Sequence, residues 1–259
     1  MKPIAAEAYV EDKLAGAEYG FPLEDLISKT GLSNIAARNQ LLRLRPKVRR
    51  ISPKLGFYVI VQPEHRLIGS PPVEWWLDDF FCWLGRPYYI ALQSAAELHG
   101  SSPQAIQVTQ VVTDVPREEI CVGGRRIRFF VKKSVRETLV GEMAGARCPL
   151  KVSVPEATVF DLVRYAPKIG GIERVMETMV PLLPAMKRDV LRAVLVTEDE
   201  VSTSQRLGLV FEKLGFEKLA DVVFDWLPKA LPVVPLRLGS GGSGGDGMVI
   251  RKWGVRDNL

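Results

Sequence analysis

The amino-acid sequence predicts an α+β fold, on three observations. Short runs rich in Val, Ile, Phe and Tyr recur between residues 47 and 61 and again between 88 and 154, where they read as strands. Longer stretches with apolar residues at helical spacing precede the first group and follow the second. Strands and helices are therefore segregated along the chain, which argues against a doubly wound α/β sheet. With 259 residues, 47% of them hydrophobic and 25% charged, the chain is long enough for one large domain or two smaller ones.

The opening "MKPIAAEAYVEDKLAG" carries acids where a secretory leader needs an unbroken apolar core. No apolar run reaches the ~18–20 residues that span a bilayer. A cytoplasmic protein is expected. Cys82, Cys121 and Cys148 are odd in number, scattered and outside any CxxC pair. Neither a disulfide framework nor a zinc site is indicated, and buried thiols are expected.

The first helix is expected in "IAAEAYVEDKLAGAEYG", with Ile4, Ala8, Val10 and Leu14 inward and Gly16 or Gly20 ending it. "PLEDLISKTG" follows, with Pro22 and acids at its first turn, Leu23, Leu26 and Ile27 on one face, and Gly31 as terminator. "LSNIAARNQLLRLRP" has Ser33 as N-cap and Pro46 as its stop. Two strand-like runs, "KVRRIS" and "GFYVIV", are joined by the tight turn "PKLG". Three helices and then a hairpin are the order of a winged helix-turn-helix, and Thr30-Gly31-Leu32 fits its turn. In that fold the third helix enters the DNA major groove and the hairpin wing follows the backbone.

Charge supports the same reading. Residues 1–66 hold 11 Lys/Arg and 7 Asp/Glu, a net +4, against 24 and 23 in the remaining 193. No acid occurs between Asp25 and Glu64, while eight bases do. Such a block forms either a solvated surface or an anion-binding face. At ~100° per residue, Ile35, Leu41, Leu42 and Leu44 of the third helix project inward. The opposite side carries Ser33, Ala36, Asn39, Gln40 and Arg43 as candidate base-reading residues. Asn and Gln pair bidentately with adenine, and Arg with guanine. Lys29, Arg38, Arg45, Lys47, Arg49, Arg50 and Lys54 are the candidate phosphate contacts, Arg38 lying close to the apolar side.

"QPEHRLIGSPP" reads as a linker, dividing a domain of residues 1–66 from one of 67–259. "VEWWLDDFFCWLG" is an aromatic-rich amphipathic helix. Next come a helix closed by Gly100, a strand "AIQVTQVVT", a hairpin turning at Gly123-Gly124, and a further antiparallel pair in "TLVGEM" and "LKVSV". Helices are expected from "PEATVFDLVRYA" through "SQRLGLVFEKLG". "GSGGSGGDG" (239–247) resembles a flexible linker and lacks the Lys of a P-loop. The terminal "MVIRKWGVRDNL" is expected as a last strand returning to the sheet.

"YYIALQSAAELHG", "VSVPEATVFDLV", "QRLGLVFEKLG" and "KWGVRDNL", in that order, resemble the AbiEi family, antitoxins of type IV toxin–antitoxin (abortive infection) systems. The winged helix ending in "GFYVIV" is similar to that family's N-terminal domain, although the wing turn here is longer than the family pattern. The resemblance spans nearly the whole chain and rests on the order of individually loose motifs. It implies a repressor of its own operon. The N-terminal domain would bind double-stranded DNA repeats in its promoter, and the C-terminal domain would carry antitoxicity. A nucleotidyltransferase-like toxin would be the functional partner, without a stable complex.

Signals of an enzyme are weak. His65 lies in the linker and His99 beside a helix-ending glycine, and no HExxH or GxSxG occurs. Asp78 and Asp79 are adjacent on a helix and project ~100° apart, which does not suit one metal. Neither catalysis nor a cofactor is expected. Two other readings compete with the autorepressor: an antitoxin that binds its toxin directly, and a ligand-responsive transcription regulator.

Overall fold

The helix ends in the N-terminal part fall where the sequence sets its caps. The computed structural model describes residues 5–101, 107–144, 149–237 and 247–259. Helix α1 spans Ala5–Ala15, strand β1 Gly20–Pro22 and helix α2 Leu23–Thr30. Gly31, left-handed at φ +70°, closes α2. Helix α3 spans Asn34–Arg43, with Ser33 extended and its Oγ accepting from the Ala36 N–H at 3.2 Å. Strands β2 (Val48–Arg50) and β3 (Phe57–Ile60) form the wing, with Val48 opposite Ile60 and Arg50 opposite Tyr58. The antiparallel β1 joins β3 on its other edge, a strand the sequence reading lacks. Phe21, Leu26, Leu41, Val48 and Ile60 meet in one buried cluster, the winged-helix core.

Two helix faces differ from expectation. In α1 the buried side is Ala6, Tyr9 and Val10, while Ala8 is exposed; Ile4 lies outside the described residues. In α3 the inward side is Ala37 and Leu41, continued by Leu44 beyond the helix, and Ile35 and Leu42 point to solvent. Positions 37, 41 and 44 follow the i, i+4, i+7 rule, so a small Ala sets the stripe.

The chain folds as two compact units. The first comprises Met1–Tyr89, Gln107–Val135 and Glu142–Lys151, the second Ile90–Ile106, Arg136–Gly141 and Val152–Leu259. In the first unit, helix α4 (Leu77–Leu84) follows the winged helix and packs on it through aromatic rings. Phe57 of β3 meets Phe80 edge-on at 5.4 Å and Trp83 at 5.5 Å, and Tyr19 lies 4.7 Å from Trp75. These rings join residues on both sides of position 66, so the compact units do not divide there.

Strands β4 (Tyr88–Ile90), β5 (Val108–Thr113), β6 (Ile120–Val122), β7 (Arg125–Val131), β8 (Val140–Met143) and β9 (Leu150–Ser153) form one sheet in the order β6-β7-β5-β4-β9-β8. It lies mainly in the first unit, and the ends of β4, β8 and β9 lead into the second. The hairpin β6–β7 is antiparallel, as expected, but β5 runs parallel to β7 and β4 to β9. The sheet is therefore mixed. The chain reverses twice between β5 and β7, and two reversals make sheet neighbours parallel.

The second unit is mainly helical: α5 (Leu92–Leu98), α6 (Pro155–Arg164), α7 (Ile172–Met179), α8 (Arg188–Glu198), α9 (Val201–Lys213) and α10 (Glu217–Trp226). The last of these is absent from the sequence reading. Arg164, almost closed to solvent, meets Asp161 at 2.7 Å, Glu198 at 2.6 Å and Glu200 at 3.0 Å. His99 donates from Nε2 to the Ser153 carbonyl at 2.7 Å, a structural role. The C-terminal run does not return to the large sheet. Strands β11 (Met248–Ile250) and β12 (Val255–Asp257) pair with β10 (Val234–Pro235) in a separate sheet ordered β10-β12-β11. Residues 239–246 of the glycine-rich stretch lie outside the described residues.

Candidate nucleic-acid interface

The outward face of α3 is built by Ile35, Arg38, Asn39 and Leu42, spaced i, i+3, i+4, i+7. Asn39 is exposed, and so is Arg38, whose Nε donates to Asn34 Oδ1 at 2.7 Å. That bond ties the guanidinium to the helix one turn earlier. Arg43 is exposed on the flank, next to the half-buried Ala36. Ser33 is exposed but occupied as the N-cap. Gln40 is half-buried and faces α1, its Oε1 accepting from the Ala6 N–H at 2.9 Å. It satisfies one of the open donors at the start of α1.

The expected phosphate contacts divide into two groups. Lys47 donates to Glu7 at 2.7 Å and Lys54 to Glu118 at 2.6 Å. Arg50 donates from Nε to the Leu55 carbonyl at 2.6 Å, inside the wing. Lys29 lies over the Tyr9 ring, 5.9 Å from its centre. Arg43, Arg45 and Arg49 are exposed and form no ion pair among the described residues. Arg49 lays its guanidinium over Gly69: an added Cβ there would lie 2.9 Å from its Cζ. Between α3 and the wing runs a groove of ≈ 590 Å³, with Arg38, Asn39, Leu42, Arg45, Arg49 and Tyr58 on its walls.

A polar cluster holds α1 against α2. Tyr9 donates to Asp25 at 2.7 Å, and Lys13 meets the same carboxylate at 3.0 Å. Burial pushes the Asp25 carboxyl up, but the Tyr9 and Lys13 hydrogen bonds outweigh it and hold it below the usual carboxylate range. Burial, and then the Asp25 hydrogen bond, push the Tyr9 phenol well above its usual value.

Sequence reasoning missed Ile35 and Leu42, 74% and 53% exposed, as part of the outward face. The available signal was Ala37, a helix former in step with Leu41 and Leu44, against which Ile35 lies on the far side. Elsewhere, Cys82 and Cys121 are exposed rather than buried, and Cys148 is outside the described residues. Among the described residues no group of three or more His, Cys, Asp and Glu is placed to hold a metal ion. None of the described helices is long and apolar enough to cross a membrane.

Residues 89–213 match the family model described as the AbiEi antitoxin C-terminal domain. Over those residues the chain is similar to the AbiEi antitoxins. The match runs from β4 to the end of α9, just under half of the chain, and supports an antitoxin role in a toxin–antitoxin system. No curated protein matches the sequence. Among solved structures, the chain is similar to the Rv2827c protein of Mycobacterium tuberculosis: TM-score 0.70, 15% identity, covering 99% of this chain and 92% of that one. At that identity the likeness bears on the fold alone, and it supports the winged helix followed by a larger α+β part. A solution structure of the antibiotic-resistance factor ANT(2'')-Ia matches at TM-score 0.29 and 11% identity, over 54% of this chain and 89% of that one, and carries no argument.

Proposed function

We propose that this AbiEi-domain protein is a cytoplasmic DNA-binding autorepressor and antitoxin of a type IV system, with residues 1–66 as its DNA-reading module. The observation that carries the proposal is the outward face of α3 beside the wing. There Arg38 and Asn39 are exposed and serve as the base readers, and Arg43, Arg45 and Arg49 offer cations with no carboxylate partner among the described residues. Arg pairs with guanine and Asn with adenine, while the exposed Leu42 and Ile35 suit the methyl group of thymine. Arg45 and Arg49 serve as phosphate contacts that fix register. Ser33 and Gln40, held by internal hydrogen bonds, position the helix instead of reading bases.

The same Ile35 and Leu42 favour a second reading, in which α3 docks on a protein such as the cognate toxin. One experiment separates them. The full chain is titrated on the duplex directly upstream of its own gene and on a scrambled duplex, at two salt concentrations, beside an Arg38→Ala/Asn39→Ala variant. Preference for the upstream duplex that disappears in the variant supports autorepression. Equal weak binding to both duplexes, together with co-purification of a toxin from the host, overturns it in favour of the protein-docking reading.

A further inference from the structure

Resting on that DNA-binding reading, we propose that the β6–β7 hairpin is a second wing, meeting the DNA phosphate backbone through Arg126 and Arg128. Residues 117–133 hold six Lys/Arg and two Asp/Glu, a net +4 in a part of the chain that is otherwise near balance. Arg126 and Arg128 stand two apart on β7, exposed and on one face. Among the described residues they share a single carboxylate, Glu119, at 3.9 and 3.2 Å. The face therefore keeps an uncompensated cation even with both pairs formed.

Two tie points set this hairpin beside the first wing. At the β6 end, Lys54 of the wing turn donates to Glu118. At the other end, the Gly124 N–H donates to the Ile68 carbonyl at 2.7 Å, and a Cβ on Gly123 would lie 2.6 Å from the Gly69 carbonyl carbon. Gly123 is also left-handed, at φ +56°, so glycine suits the position twice over. The Arg49 guanidinium lies over the same Gly69. Arg49, without an ion pair among the described residues, and the hairpin turn thus meet at residues 68–69. The basic run from Arg45 through Arg49 continues onto a second antiparallel hairpin, the shape that follows a phosphate backbone in the first wing.

The test is the salt dependence of binding by the full chain to a random-sequence duplex and to the upstream duplex. Each phosphate contact contributes about 0.9 to the slope of log K against log salt. The Arg126→Ala/Arg128→Ala variant should lower the slope by about 2 on both duplexes and leave the preference between them intact. The Arg126→Lys/Arg128→Lys variant keeps both charges and should stay near the unaltered slope. An unchanged slope in the alanine variant overturns the second wing and leaves the first reading standing. A lysine variant as weak as the alanine one overturns it too, because the loss would then not come from charge. If the unaltered chain binds neither duplex, the DNA-binding reading falls and takes the second wing with it.

Discussion

The indole of Trp253 occupies the place where a methyl group on Gly208 would stand, with the Cη2 carbon 2.6 Å from that point. Gln205, one turn earlier on α9, donates from Nε2 to the Trp253 carbonyl at 2.7 Å and to the Pro232 carbonyl at 2.8 Å. The motifs "QRLG" and "KWG", far apart in sequence, are the two halves of one joint.

Gly208→Ala should therefore destabilise the second unit by about 1–3 kcal/mol, the usual cost of overpacking a fully buried site. A thermal melt followed by Trp fluorescence reads it. Trp253→Leu in the alanine background should recover part of the loss, because the smaller side chain vacates the space.

Arg164→Met should cost about 3–5 kcal/mol, since it leaves Asp161 and Glu198, both closed to solvent, without their guanidinium. The three carboxylates around it hold the Arg164 guanidinium protonated against the opposing effect of burial. Urea unfolding measures the loss. A variant as stable as the parent would show that other partners of Asp161 and Glu198 suffice.

Gln40→Ala and Asn39→Ala should behave differently although the residues are adjacent. Gln40→Ala leaves the Ala6 N–H without its acceptor and should lower stability by ~1 kcal/mol while the preference for the upstream duplex holds. Asn39→Ala should leave the melt unchanged and cost ~1–3 kcal/mol of that preference. Melting temperatures and duplex titrations on the same preparations decide it.

The depressed Asp25 carboxyl gives an acid limb. A group whose folded pKa lies below its ordinary value of 3.8 adds stability at higher pH, and that contribution disappears as the pH falls through the folded value. The winged helix should lose stability below about pH 4. Asp25→Asn should be less stable than the parent at pH 7, and the gap should narrow as the pH falls below about 4. Melts across that range check the sign.

Much of this was legible in the sequence because the signals were local. Ser33, Gly31 and the "PKLG" turn act within a few residues, so the caps and the wing stand where they were expected. The faces of α3 were misread for a physical reason. Ile35 and Leu42 are larger and more apolar than Ala37, and hydrophobicity alone ranks them as core. Tertiary packing instead selects the side on which a small residue lets α3 approach its neighbours. Gln40 illustrates the same limit: its partner lies 34 residues away on α1. Parallel pairing of β5 with β7 was equally invisible, because strand-forming residues carry no record of which neighbour they meet.

The turn at Gly123-Gly124 has a practical consequence. Hairpin tips are the usual place to insert an epitope, attach a dye or split a chain, since their backbone is free. This tip is a joint, pressed backbone to backbone against residues 68–69. A label placed there would pry the joint open and report on its own damage; the exposed Cys82 on α4 offers a thiol on another element once Cys121, itself exposed on β6, is replaced.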